Sequence, residues 1–174
     1  MGNLATSEFL IARWDELCRD PSLEDLPYKI ELNAWGKVEM SPPPGVGHAR
    51  LQAAVAAQLT QQLPDGVALT ECPALTAIGV RVPDVAWASN RFRKQHKGSS
   101  PLPRAPEICV EVISPSNVEA EITEKTRAYL AAGAEEVWLV AETGAVRFID
   151  RSGGIPQSRF PVALSLPDVT TDYP

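Results

Sequence analysis

Ile108-Cys109-Val110-Glu111-Val112-Ile113-Ser114-Pro115-Ser116-Asn117 is an apolar, β-branched run with a carboxylate inside it and a turn signal behind it. The run reads as a buried strand. The Ser/Pro/Asn cluster ends it and offers Ser116 or Asn117 as the cap of a following helix. Glu111 breaks the apolar pattern, and a carboxylate buried without a partner is costly. Upstream, Pro83-Asp84 enters a second strand-like run, Val85-Ala86-Trp87-Ala88. Downstream, Val118, Ile122, Lys125, Tyr129 and Ala132 follow the spacing of one helical face, with Glu119, Thr123, Glu124 and Arg127 opposite. Lys125 therefore lies inside an apolar stripe, where its ammonium must reach water or an anion. Asp84 and Glu111 are the candidate partners. A surface pairing of Lys125 with Glu121, four residues before it, is the plainer alternative.

Working outward, Thr6 or Ser7 can cap a first helix that carries Phe9, Leu10, Trp14 and Leu17 and ends near Asp20-Pro21. Tyr28–Leu32 and Lys37–Met40 alternate around a turn and read as a hairpin, stopped by Ser41-Pro42-Pro43-Pro44-Gly45. A helix is expected over Gly47–Gln62, then short strands Val67–Glu71, Leu75–Val80 and Val85–Ala88. The helix carrying Lys125 should end at Gly133, a good C′ residue. Glu136–Ala141 and Ala145–Asp150 form a second hairpin, Ser158–Ala163 an edge strand, and residues 164–174 a loosely ordered tail. Strands interleaved with helices give an α/β chain, α+β mixed, with a mixed central β-sheet flanked by helices.

At 174 residues and 44% hydrophobic content, the chain is long enough for one real core, read here as one domain over 1–174 with its core at about 6–163. No apolar run approaches the length of a membrane span, and the N-terminus lacks the pattern of a signal peptide, so a cytoplasmic protein is expected. Cys18, Cys72 and Cys109 are far apart and form no CxxC pair, which reads as reduced structural thiols. With only His48 and His96, a histidine-based zinc site is excluded as an economical reading. The net charge of −6 argues against electrostatic coating of nucleic acid. Arg91, Arg93, Lys94, His96, Lys97 and Arg104 nevertheless crowd one segment, read as a solvated loop or short helix or as a phosphate-tracking patch. Trp14, Trp35, Trp87 and Trp138 are expected as core anchors.

Two carboxylates on neighbouring strands plus an inward lysine suit metal-assisted phosphodiester cleavage. Carboxylates are hard oxygen ligands for Mg²⁺, and a lysine can steady developing charge or an attacking water. Taken in order, Glu31-Leu32, Gly36-Lys37-Val38-Glu39-Met40-Ser41-Pro42, His48, Pro83-Asp84, Glu111-Val112-Ile113-Ser114-Pro115-Ser116, Lys125, Tyr129, Ala132-Gly133 and Val137-Trp138-Leu139-Val140 resemble the Uma-type family of restriction-endonuclease-like proteins. That family's fold belongs to the PD-(D/E)xK nuclease superfamily. The resemblance spans roughly Thr6 to Asp150 and implies a restriction-endonuclease-like core. It further implies that Asp84 and Glu111 ligate Mg²⁺ or Mn²⁺, that Lys125 is the catalytic lysine, that Glu31 completes the acidic cluster, and that DNA is the substrate. The superfamily's usual Glu-x-Lys would place lysine at Ile113, so Lys125 substitutes from the helix. Ala141 stands where family members tend to carry an acidic residue after the Trp-Leu-Val strand. Glu31 could equally lie on a solvated hairpin face with Lys29 and Asn33, Glu39 reads as surface, and His48 reads as a capping or packing residue or an active-site neighbour. Cutting both strands of a duplex is most simply done by a homodimer with a two-fold axis. Two other classes stand beside this one: a catalytically idle nuclease fold kept as a DNA-binding or protein-interaction module, and a hydrolase of smaller phosphodiesters.

Overall fold

A computed structural model of the chain describes residues 4–24, 26–115 and 117–171. Helix α1 (Ser7–Cys18) starts where the sequence places it, with the Thr6 hydroxyl accepting from Phe9 N at 3.2 Å. Strands β1 (Lys29–Asn33) and β2 (Val38–Ser41) form the expected hairpin, and α2 (Val46–Gln62) follows the proline turn. Then come β3 (Gly66–Thr70), β4 (Ala74–Thr76), β5 (Gly79–Arg81), β6 (Val85–Ser89) and the short α3 (Asn90–Gln95). The remainder is β7 (Ile108–Ile113), α4 (Glu119–Ala131), β8 (Glu136–Ala141), β9 (Val146–Asp150) and β10 (Gly153–Ile155). No helix among the described residues is long and apolar enough to cross a membrane.

The expected mixed central sheet flanked by helices is present, and a second, smaller sheet stands beside it. A four-stranded antiparallel sheet runs β2-β1-β5-β4, and a six-stranded sheet runs β10-β9-β8-β7-β6-β3 with β7 and β8 parallel around the α4 crossover. The run read as one strand, Leu75–Val80, is a tight hairpin. Gly79, at φ +115°, turns it, and a Cβ there would meet Leu32 O at 2.0 Å. The Thr76 hydroxyl closes the loop by donating to Gly79 O at 2.9 Å and accepting from Ile78 N at 3.2 Å.

By the period-two rule the six-stranded sheet sends alternate residues to two covered faces, and the four-stranded sheet turns one face to α1. On β7, Ile108, Val110 and Val112 pack with Leu51, Val55 and Leu59 of α2, and with Trp87, Trp138 and Val140. The other face sends Cys109 against Tyr129 and Leu130 of α4, joined by Val137 and Leu139. α1 covers the smaller sheet, with Leu10, Trp14 and Leu17 on Leu32, Val80 and Val82. This alternation leaves Lys29 and Glu31 on the face of β1 turned from α1, and Glu111 on the face of β7 turned to α4.

Several local expectations are corrected. Trp35 is 54% exposed on the hairpin turn, unlike buried Trp14, Trp87 and Trp138. Val118 is exposed and is itself the N-cap of α4, while Asn117 Oδ1 accepts from Ser114 N at 2.7 Å; Ser116 lies outside the described residues. Residues 158–163 form no strand, and β10 takes the sheet edge instead. Of the segment expected as a loose tail, residues 164–171 pack along α2 and the core, and 172–174 lie outside the described residues. Gln58 and Gln62 bond the backbone of Ser165 and Ala163 at 2.8–3.1 Å, and Val169 is buried. The basic segment becomes α3, exposed at the end of β6 remote from Asp84, and among the described residues none of its cations lines the cleft described next. Burial pushes the Cys72 thiol up to about 11, in keeping with an unreactive structural thiol.

Candidate active site

β6 and β7 pair antiparallel with Val85 opposite Val110, and one step further the same register sets Asp84 opposite Glu111. Directly opposed residues share a face, so the two carboxylates are neighbours at the end of the six-stranded sheet. Asp84 is buried, and Glu111 is nearly so, its side chain 13% exposed. They border a cleft of about 1090 Å³ with Lys29, His48, Glu71 and Lys125.

The two acids are held differently. Asp84 Oδ2 accepts the Val112 amide at 2.7 Å and lies 3.4 Å from His48 Nε2; Oδ1 accepts Lys29 Nζ at 2.7 Å. Burial works against its charge, yet the His48 hydrogen bond and the Lys29 ammonium hold the carboxyl well below its ordinary range. Gln52 of α2 fixes the local backbone by donating to Asp84 O at 2.9 Å. Glu111 Oε1 accepts the Tyr129 hydroxyl at 2.7 Å, with Lys125 Nζ at 3.8 Å. Burial pushes the Glu111 carboxyl up, opposed by Lys125 and reinforced by Asp84. Neighbouring carboxylates thus have their proton affinities driven apart.

Lys125 points inward, as its helical phase requires. Its ammonium lies 3.0–3.1 Å from both oxygens of Glu31, which is 5% exposed. Glu31 also accepts the Val82 amide at 2.8 Å and Arg81 Nη1 at 3.2 Å, and Arg81 reaches on to Glu39 at 2.6 Å. Glu31 and Glu39 stand opposite each other across β1 and β2, a like-charge pair that the guanidinium bridges. Asp84, Glu111, Lys125 and Glu31 are therefore brought together. The solvated-face alternative for Glu31 is corrected, because its carboxylate is buried among Lys125 of α4, Arg81 and the Val82 amide.

Lys29 and Arg81 are site residues that the sequence does not single out. Lys29 alternates with Ile30, a signal that marks its strand face but not what covers that face. Arg81 lies just past the expected end of its strand.

A divalent ion fits this donor set in one way only. Among the described residues no three His, Cys, Asp or Glu side chains converge into a ready cage. Two adjacent carboxylates, however, are what Mg²⁺ uses where water and substrate phosphate complete its shell.

A comparison with functionally curated proteins gives no match. A crystal structure described as a "putative nuclease belonging to DUF820", from Anabaena variabilis ATCC 29413, superposes with a TM-score of 0.70. It is 19% identical, and the match covers 90% of this chain and 96% of that one, a likeness that establishes the fold. The model of the Uma2 family, described as "Putative restriction endonuclease", matches residues 14–169, which include Glu31, Asp84, Glu111 and Lys125. By sequence over most of its length, and in keeping with the architecture of its core, the chain belongs to the Uma2 family.

Proposed function

We propose that the protein is a divalent-metal-dependent DNA endonuclease that hydrolyses phosphodiester bonds, with Asp84 and Glu111 as the metal ligands and Lys125 as the catalytic lysine. The observation that carries this reading is the convergence of an inward lysine from α4 with two opposed carboxylates on β6 and β7. When bound, the ion would neutralise phosphate charge and lower the pKa of a bound water. The chain's own residues do the rest. The Val112 amide and the Tyr129 hydroxyl fix one oxygen each of Asp84 and Glu111. Glu31 acts as a positioning residue, holding the Lys125 ammonium 3.8 Å from Glu111, where it can orient an attacking water and meet charge developing on the phosphate.

A ligand that binds only the folded state stabilises it by mass action. Millimolar Mg²⁺ or Mn²⁺ should therefore raise Tm, by about 2.7 kcal/mol of added stability at a hundredfold excess over Kd. Differential scanning fluorimetry reads this directly, and an unchanged Tm counts against the site.

The idle-module reading draws on one observation: Asp84 and Glu31 are already balanced by internal cations. A module of that kind binds DNA or a partner protein without metal uptake, which calorimetry separates from an enzyme. For duplex cleavage we further propose a homodimer, each copy cutting one strand. Sedimentation should give a dimer at micromolar concentration; a monomer would restrict the activity to nicking.

A further inference from the structure

The cleft holds a cation that the chemistry above leaves unused. Lys29 enters from β1 beside Glu31, its side chain 17% exposed, and lies 2.7 Å from Asp84 Oδ1 and 3.9 Å from Glu71 Oε2. The two oxygens of Asp84 are not equivalent. Oδ2 is tied to the Val112 amide of the neighbouring strand and faces His48. That oxygen cannot turn away without leaving a buried N–H unpaired. Oδ1 is then the oxygen open to a hard cation, and the Lys29 ammonium is on it.

We propose that Lys29 is the resident counter-ion of Asp84, and that a divalent cation enters by exchange, the ammonium leaving Asp84 Oδ1 for the mouth of the cleft. The inference rests on the metal reading above. Lysine is suited to such an exchange, because a compact charge on a flexible four-carbon stem can change partners without moving its backbone. While the metal is absent, it spares Asp84 the cost of an uncompensated buried charge. Once displaced, it adds a cation at the mouth, where the substrate phosphate arrives.

Isothermal titration with Mn²⁺ alone on wild type and Lys29→Met tests the exchange, because methionine keeps the aliphatic stem and deletes the competitor. Lys29→Met should bind Mn²⁺ at least tenfold more tightly, about 1.4 kcal/mol. Equal or weaker binding by the variant, with wild type binding normally, overturns the exchange and leaves the metal reading standing. If neither protein takes up metal, both fall together. A second measurement needs no variant. In ¹H–¹⁵N spectra of lysine ammonium groups, the protected Lys29 signal should shift or vanish as Mg²⁺ saturates wild type. A signal unmoved at saturation also overturns the proposal.

Discussion

Lys125→Met should slow metal-dependent DNA cleavage by about a hundredfold or more, the scale of removing one preorganised stabiliser of transition-state charge. Methionine preserves the stem that packs in the stripe with Ile122 and Tyr129, so the fold should survive. The ammonium is 3.0 Å from Glu31 and 3.8 Å from Glu111, on the inner side of α4, which removes the surface pairing with Glu121 as its explanation. Metal binding should persist, because Asp84 and Glu111 remain. Single-turnover cleavage of a labelled duplex at saturating Mg²⁺ gives the rate, and calorimetry gives the metal affinity. A rate within a few-fold of wild type would show Lys125 to be a structural cation of Glu31.

Glu31→Ala should destabilise the protein by about 3 kcal/mol, the lower end of the range for breaking a buried ionic network. The loss leaves the Val82 amide without its acceptor and takes one anion from Arg81 and the nearest from Lys125. Arg81 keeps Glu39, which holds the cost to that lower end. For a domain of this length the change is about 6–12 °C in Tm. The pH dependence carries a sign. The Glu31 carboxyl is buried, which raises its pKa, but Lys125, the Val82 amide and Arg81 lower it further than burial raises it. Its contribution to stability is therefore present above the unfolded value of about 4.3 and is lost as pH falls through the folded one. Glu111, pushed up by burial, has the opposite sign: its contribution is present below about 4.3 and is lost as pH rises through the folded value. Thermal melts from about pH 3 to 7 should show a steeper acid limb in wild type than in Glu31→Gln.

The sequence makes legible those features set by local pattern. The apolar run around Glu111, the phase of Lys125, the Thr6 cap and Gly133 ending α4 all appear at their expected positions, because each depends on residues within one or two turns. What stays hidden depends on distant cover. Lys29 and Glu31 alternate along β1 like any half-solvated strand, and only partners distant in sequence, Asp84 for the one and Arg81 and Lys125 for the other, take them out of water. Arg81 works by bridging two glutamates opposed across a different pair of strands. The pairing of β5 with β1 turns on Gly79, whose backbone approach to Leu32 no local propensity reveals. Trp35 and Val118 depart from the expected interior because large apolar residues are not bound to be buried.

Whether the cleft is a metal-dependent nuclease site is decided by incubating supercoiled plasmid with the protein and Mg²⁺ or Mn²⁺, against Asp84→Ala under the same conditions. Nicked and linear DNA are expected with wild type and metal, none when the metal is chelated, and none with Asp84→Ala. Intact plasmid with metal-loaded wild type across varied DNA, or equal cutting by Asp84→Ala, would contradict the assignment.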